Sequence, residues 1–203
     1  TIGVKYSEVY ADPKADIWAY AWAGGTRARP PGYTGPTTFY DYLVRLQKEG
    51  GHGVGFTYKT INTEVLAWIV KRVAGARLAD LTSQQIWAKL GCEHDALYQV
   101  DSVGTESGGG GLSTTLRDLA RFGEAMRCDG SFNGQQIVPA AVVNDIRHGA
   151  DRAQFASAGY ATLPGWSYRN MWWVSHDAHQ CITARGIHGQ LVWIDPVAEM
   201  VIA

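Results

Sequence analysis

Among the residues able to do chemistry, Tyr58 has the most suggestive position. It stands in Gly55-Phe56-Thr57-Tyr58-Lys59-Thr60-Ile61-Asn62, after a loop and at the start of a predicted helix, where a phenol can be exposed to a cleft. A phenol with a pKa near ~10 is a poor base at neutral pH unless a cation such as lysine lowers it. Lys59 is the next residue along. By residue type alone, a core tyrosine with a satisfied hydroxyl is the commoner outcome.

His176, His179 and Cys181 lie close together between two predicted strands. Zinc sites prefer Cys-x-x-Cys or His-x-x-x-His pairs with a second pair elsewhere. Cys92 and His94 are near each other but do not make such a pair, so the segment reads as a polar hairpin turn and no metal is expected. Thr105-Glu106-Ser107-Gly108-Gly109 is superficially similar to the Gly-Asp-Ser-Gly-Gly of trypsin-like proteases, which require a two-barrel β fold that the helical pattern before Ser107 excludes. A Gly-x-Ser-x-Gly elbow fails because position 105 is Thr. Gly108 to Gly111 have no Lys-Ser/Thr after them, so they are not a phosphate loop. They read as a tight turn where backbones approach closely. Of the eight tryptophans, Trp68, Trp87, Trp172 and Trp173 fall in predicted helices or strands and read as core. Trp18 and Trp22, in the irregular start, are the better candidates for lining a cleft.

The elements that must position these groups follow from periodicity. Residues 1–36 read as loop, with Pro30-Pro31-Gly32-Tyr33-Thr34-Gly35-Pro36 unable to form regular structure. Thr37 is a plausible N-cap for a helix carrying Phe39, Leu43 and Leu46 and stopped by Gly50-Gly51. A second helix follows Tyr58, with Ile61, Leu66, Ile69, Val70 and Val73 on one stripe and Gly75 at its end. Thr82 with Gln85 predicts a capping box for a short helix ending at Gly91. Thr115 with Asp118 predicts another, opening a helix that buries Leu116, Leu119, Phe122 and Met126. Pro139 suits the first turn of a further helix through Ile146. After residue 160 the period shortens: residues 168–174, 181–186, 191–194 and 200–202 read as successive strands. Helices followed by an antiparallel meander define an α+β class.

A chain of 203 residues can bury a substantial core, and 46% hydrophobic against 18% charged residues argues against disorder. The net charge of −1 gives no electrostatic reason to expect nucleic acid as a partner. No apolar run approaches the ~20 residues that span a bilayer. Cys92, Cys128 and Cys181 are too scattered for a disulfide scaffold, which leaves the redox compartment open. The sequence starts at Thr1-Ile2-Gly3 without a Met and stops at Met200-Val201-Ile202-Ala203 within a predicted strand. Those ends predict one domain over 1–203 truncated on both sides, with 1–160 mostly loop and helix and 161–203 antiparallel strands.

Three segments occur in a fixed order. The first is Phe56-Thr57-Tyr58-Lys59-Thr60 with the helix from Leu66 to Gly75. The second runs from Gly108-Gly109-Gly110-Gly111-Leu112-Ser113-Thr114-Thr115-Leu116-Arg117-Asp118 to Phe122. The third is Ala184-Arg185-Gly186-Ile187-His188-Gly189-Gln190, then Trp193-Ile194-Asp195-Pro196. Together they resemble the serine β-lactamase and penicillin-binding-protein superfamily, in its class C-like esterase/amidase branch. Within that branch the look is most that of 6-aminohexanoate-dimer hydrolases and related carboxylesterases. The resemblance covers nearly the whole chain and implies a β-lactamase-like α+β fold whose other strands lie in sequence not present here. It implies hydrolysis of small esters or linear amides through an acyl-serine, with no cofactor and a small-molecule substrate as partner. A β-lactamase, a D-alanyl-D-alanine peptidase or a non-catalytic domain of the same fold are the alternatives.

The resemblance also implies roles. Tyr58, at the place of the branch's Tyr-Ser-Asn, would shuttle a proton between serine, lysine and leaving group. The backbone N–H of Ile187 would form half of an oxyanion hole, with Gly186 and His188 beside the substrate and Gln190 bordering the cleft. Tyr10 is a weaker candidate for a substrate contact. The family's nucleophile is the Ser of a Ser-x-x-Lys, and none of the nine serines here has Lys three residues later. The family places that motif upstream, so the expectation is a chain without the nucleophile and inactive alone. Two departures bear on substrate. Tyr-Ser-Asn reads Tyr58-Lys59-Thr60, leaving Asn62 as the available carboxamide, and Lys-Thr-Gly reads Ala184-Arg185-Gly186, which sends the cation to the other face of a strand.

Overall fold

The structure, a computed structural model, describes residues 3–203; Thr1 and Ile2, at the head of the stretch expected to be loop, lie outside the described residues. In chain order the helical elements up to residue 90 are α1 (Asp16–Ala23), α2 (Phe39–Leu43), α3 (Thr60–Ala74), α4 (Leu78–Thr82), a π-helical turn (Ser83–Trp87) and α5 (Ala88–Leu90). Then come the ribbon strands β1 (Leu97–Tyr98) and β2 (Leu112–Ser113), α6 (Leu116–Arg127), the small hairpin β3 (Ser131–Phe132) and β4 (Gln135–Gln136), α7 (Ala140–His148) and α8 (Arg152–Ala156). The chain ends in β5 (Ser167–Arg169), β6 (Trp172–Val174), β7 (Ile182–Arg185), β8 (Leu191–Asp195) and β9 (Met200–Ile202). It divides into two compact units, Thr1–Asp80 with Leu97–Ser113, and Leu81–Ala96 with Thr114–Ala203.

The first unit is built on aromatic packing. Tyr6, Ile17, Tyr20, Phe39, Tyr42 and Ile61 form its buried cluster. The expected loop over 1–36 is corrected here, because residues 16–23 form α1. Asp16 starts that helix by exchanging hydrogen bonds with Ser7: its carboxylate accepts from the Ser7 N–H at 2.8 Å, and its own N–H donates to Ser7 Oγ at 2.9 Å. Such a reciprocal cap satisfies donors that a helix start otherwise leaves open. Trp18 and Trp22 therefore sit on a helix, both half-buried. The cap of α2 is Thr38 rather than Thr37, and its hydroxyl accepts from Asp41 N–H.

Helix α3 ends as expected, with Gly75 left-handed at φ 63°. Its apolar stripe is a correction. Ile61 is buried, but Leu66, Ile69, Val70 and Val73 are exposed, as is Trp68. The period of 3.6 identifies a stripe without identifying what covers it, and the face of α3 that this unit buries carries Thr60, Ile61 and Glu64. Glu64 is the anchor of the glycine-rich turn. Its carboxylate accepts from Tyr20 OH (2.7 Å), Ser107 Oγ (3.2 Å), Gly108 N–H (3.1 Å) and Gly109 N–H (2.9 Å). A buried carboxyl group is tolerated only when its oxygens find hydrogen-bond partners in this way. Gly108 has no room for a side chain, since an added Cβ would lie 2.1 Å from the Ala67 Cβ.

The second unit is an antiparallel five-stranded sheet in the order β5-β6-β7-β8-β9. The stretch expected as one strand over 168–174 is a hairpin, because Asn170 and Met171 both turn at positive φ. Alternation gives the sheet two faces. Trp172, Val174, Ile182, Val192 and Ile194 pack with Met126, Val143 and Ile146 of α6 and α7. Burying an aliphatic side chain of this kind contributes ~1.5–3 kcal/mol. Thr115 caps α6 as expected, accepting from Asp118 N–H, whereas Leu116, expected to be buried, is exposed. Thr82 is a further correction: it is already helical and makes no side-chain cap, since α4 starts at Leu78 and runs into the π-helical turn. Among the described residues no helix is long and apolar enough to cross a membrane.

Candidate active site

Lys59, the residue before α3, provides no side-chain cap. The helix is capped from a distance. Glu8 of the N-terminal segment accepts from Thr60 N–H at 2.8 Å and from Thr60 Oγ1 at 2.5 Å. A carboxylate there also opposes the positive end of the helix dipole. The same carboxylate accepts from the Tyr10 hydroxyl at 2.9 Å. Glu8 therefore fixes Tyr10 beside the start of α3, two residues from Tyr58.

Tyr10 and Tyr58 interact electrostatically, and Tyr58 is half-buried. Partial burial, then the Glu8 carboxylate, push the Tyr10 phenol far above its ordinary range, with Tyr58 adding to the same direction. Tyr10 is thus held as a neutral hydroxyl, able to donate or accept a hydrogen bond but not to act as a base. Its ring meets Trp18 edge-on at 5.8 Å, and the Arg27 guanidinium lies over Trp18 at 4.3 Å. The Lys59 ammonium donates to the carbonyl of Val4. Asn62 Oδ1 is buried with no hydrogen-bond partner among the described residues. A separate open groove of ≈ 580 Å³ is lined by Tyr40, Trp68, Lys71 and Arg72, and neither Tyr10 nor Tyr58 borders it.

In the second unit, Gly186, Ile187 and His188 share one turn after β7. Gly186 N–H donates to Gln190 O at 2.8 Å, and Ile187–Gly189 form a single 3₁₀ turn. Ile187 is its first residue, the position whose N–H has no acceptor inside a helix. Gly186 is required by crowding, since a Cβ there would lie 2.8 Å from the Gln190 Cβ. His188 takes a left-handed φ of 60° and is exposed. Ala184 packs against the core under the sheet, while Arg185 lies on the other face, its guanidinium 5.5 Å from the Trp173 ring centroid. A backbone donor held by a crowded turn suits an oxyanion, because it is oriented before charge develops.

Sequence reasoning missed Glu8 and Glu64. The signal for Glu8 was available as a helix start without Ser, Thr, Asp or Asn before it. Glu64 was signalled by an acid inside an otherwise apolar helix face.

The α+β architecture, the helix-anchored glycine turn and the antiparallel meander define a β-lactamase-like fold. The Beta-lactamase family model matches residues 8–203, and the chain belongs to that family. It is similar to the 6-aminohexanoate-dimer hydrolase of Paenarthrobacter ureafaciens, with 37% identity over 202 residues, 99% of this chain and 51% of that protein. Among solved structures, a Bacillus anthracis protein provisionally named a 6-aminohexanoate-dimer hydrolase superposes with a TM-score of 0.86 at 33% identity, covering 98% of this chain and 51% of that one. A penicillin-binding-protein homolog from Caulobacter crescentus shares the fold, with a TM-score of 0.63 at 13% identity over 96% of this chain and 65% of its own. The chain spans about half the length of that Paenarthrobacter relative.

Proposed function

We propose that the whole protein is a serine hydrolase of short esters or linear amides, for which this chain supplies the proton shuttle and half of the oxyanion site. The observation that supports the reading is family membership over residues 8–203 combined with a half-buried Tyr58 two residues before the Glu8-capped start of α3. In this reading a serine from the half of the family's length not covered here attacks the substrate carbonyl. Its proton passes through Tyr58 and a lysine of the same Ser-x-x-Lys to the departing alcohol or amine. The Ile187 N–H donates to the tetrahedral oxyanion, together with the serine's own amide. Water then cleaves the acyl-serine by the reverse proton route. Tyr10 and His188 contact the substrate, and Gly186 admits it by having no side chain.

The experiment is to trap the acyl-enzyme. Full-length protein mixed with p-nitrophenyl butyrate and quenched in acid should carry one butyryl group, mapped by peptide mass spectrometry to a serine of a Ser-x-x-Lys outside this chain. A butyryl group on any of the nine serines within it would overturn the assignment.

A further inference from the structure

The polar hairpin expected around residues 176–181 gains a partner that sequence spacing did not reveal. Asp195, the last residue of β8, comes beside it, so that His179, Cys181 and Asp195 place one ligand atom each within 4.8 Å of one another. His179 Nδ1 and Asp195 Oδ2 are 2.8 Å apart. Cys181 and Asp195 are buried, and His179 is exposed. We propose that these three side chains bind a divalent transition metal of the zinc type, at a site separate from the hydrolytic one.

The donor set selects the metal. One imidazole nitrogen, one thiol sulfur and one carboxylate oxygen form a set of intermediate softness that favours Zn²⁺ or its relatives over Mg²⁺ and Ca²⁺, which take oxygen ligands. Three protein ligands with an exposed His leave a fourth position for water. Bond lengths of about 2.0–2.3 Å to such ligands place the donor atoms roughly 3–4 Å apart, close to the spacing seen here, where all three lie within 4.8 Å of one another.

The surroundings orient the ligands already. Asp195 Oδ1 accepts from the N–H groups of Val197 (3.1 Å) and Ala198 (2.8 Å), which aims the second oxygen at the cluster. Asp177 Oδ1 accepts from the N–H groups of His179 (3.0 Å) and Cys181 (3.1 Å), which fixes the turn that carries both. Outer-sphere hydrogen bonds of this kind are the usual support of metal ligands. Coordination would release the Cys181 thiol proton to water. The metal would clip the β6–β7 turn to the end of β8. That is the opposite end of β7 from the Ile187 turn, roughly 13 Å away at ~3.3 Å per residue.

The test uses the full-length protein freed of metal with a chelator and titrated with Co²⁺ alone. One equivalent should produce tetrahedral visible bands and a thiolate-to-cobalt charge-transfer band, both lost when Zn²⁺ is added. Zn²⁺ at a hundred times its Kd should raise Tm by about 5 °C or more. Cys181→Ser should abolish the charge-transfer band, and His179→Ala should weaken binding at least tenfold. Cys92→Ser should leave both signals intact. Absence of the bands in the parent chain, or a band that survives Cys181→Ser and disappears with Cys92→Ser, would overturn the proposal.

Discussion

At the scale of single residues, the proposed function rests on Tyr58, and Glu8 caps the helix that begins two residues after it. A phenol acting as proton shuttle is lost with one oxygen atom, and loss of a positioned acid–base group lowers rates by ~10²–10⁴-fold. The same oxygen contributes only ~1 kcal/mol to folding when its hydrogen bond is removed. Tyr58→Phe in the full-length protein should therefore lower kcat by ~10²-fold or more while Tm moves by a few degrees at most, measured with p-nitrophenyl butyrate and by thermal melting. An unchanged kcat with a lowered Tm would return Tyr58 to a packing role. Tyr58 was visible in the sequence through its neighbours and its place before a helix. Glu8 was not, because the contact that matters joins residues 8 and 60: the uncapped start of α3 signals that a cap is needed, but not which residue 52 positions away supplies it.

Helix starts show the same division at the scale of elements. Thr115 and Asp118 could be read directly as a cap, three residues apart, and α6 begins there. What the spacing did not show is that Asp118 is buried and also receives the N–H groups of Glu93 (2.8 Å) and His94 (3.1 Å) and an Arg121 guanidinium N–H (2.6 Å). Burial alone would push its carboxyl up. The Glu93 N–H, the Thr115 hydroxyl, the His94 N–H and Arg121 outweigh it and hold the pKa at about 2. The sign follows from linkage: with a folded pKa below the unfolded value of ~3.9, the ionised group's stabilisation is complete above ~4 and fades as pH falls toward 2. Asp118→Asn cannot titrate, so its Tm should be lower at neutral pH and decline less steeply than the parent's between pH ~4 and ~2, followed by circular dichroism. Parallel Tm curves would mean that other carboxylates govern acid unfolding. Helix α3 illustrates the opposite limit. Leu66, Ile69, Val70 and Val73 have a flawless helical period and are exposed, because periodicity reports a face and not its partner. The meander was legible strand by strand, apart from the hairpin at Asn170-Met171, where two positive-φ residues carry no Gly to announce the turn.

For the whole molecule the open question is the substrate, and the strand after the helices bears on it. Enzymes of this fold that act on β-lactams hold the antibiotic's carboxylate partly through the lysine and hydroxyl of Lys-Thr-Gly, as the resemblance implies. Here the first of those positions is Ala184, packed against the core beneath the sheet, and the cation beside it, Arg185, is engaged with the face of Trp173 on the other side. Turning Arg185 back would need a bulge in β7, yet β7 and β8 pair without interruption from Ile182↔Ile194 to Arg185↔Leu191. A hydrogen bond to a charged group contributes ~1.5–3 kcal/mol, so the loss of one or two weakens β-lactam recognition by ~10²-fold or more. The Ile187 N–H belongs to the backbone and is independent of these side-chain changes, so the oxyanion role proposed for it does not depend on them. The full-length protein should accordingly show a higher kcat/KM for p-nitrophenyl butyrate and for the linear dimer of 6-aminohexanoate than for nitrocefin, in side-by-side assays at one pH. Nitrocefin turning over tenfold faster than either would mean that a carboxylate clamp exists elsewhere, and would move the protein to the β-lactamases.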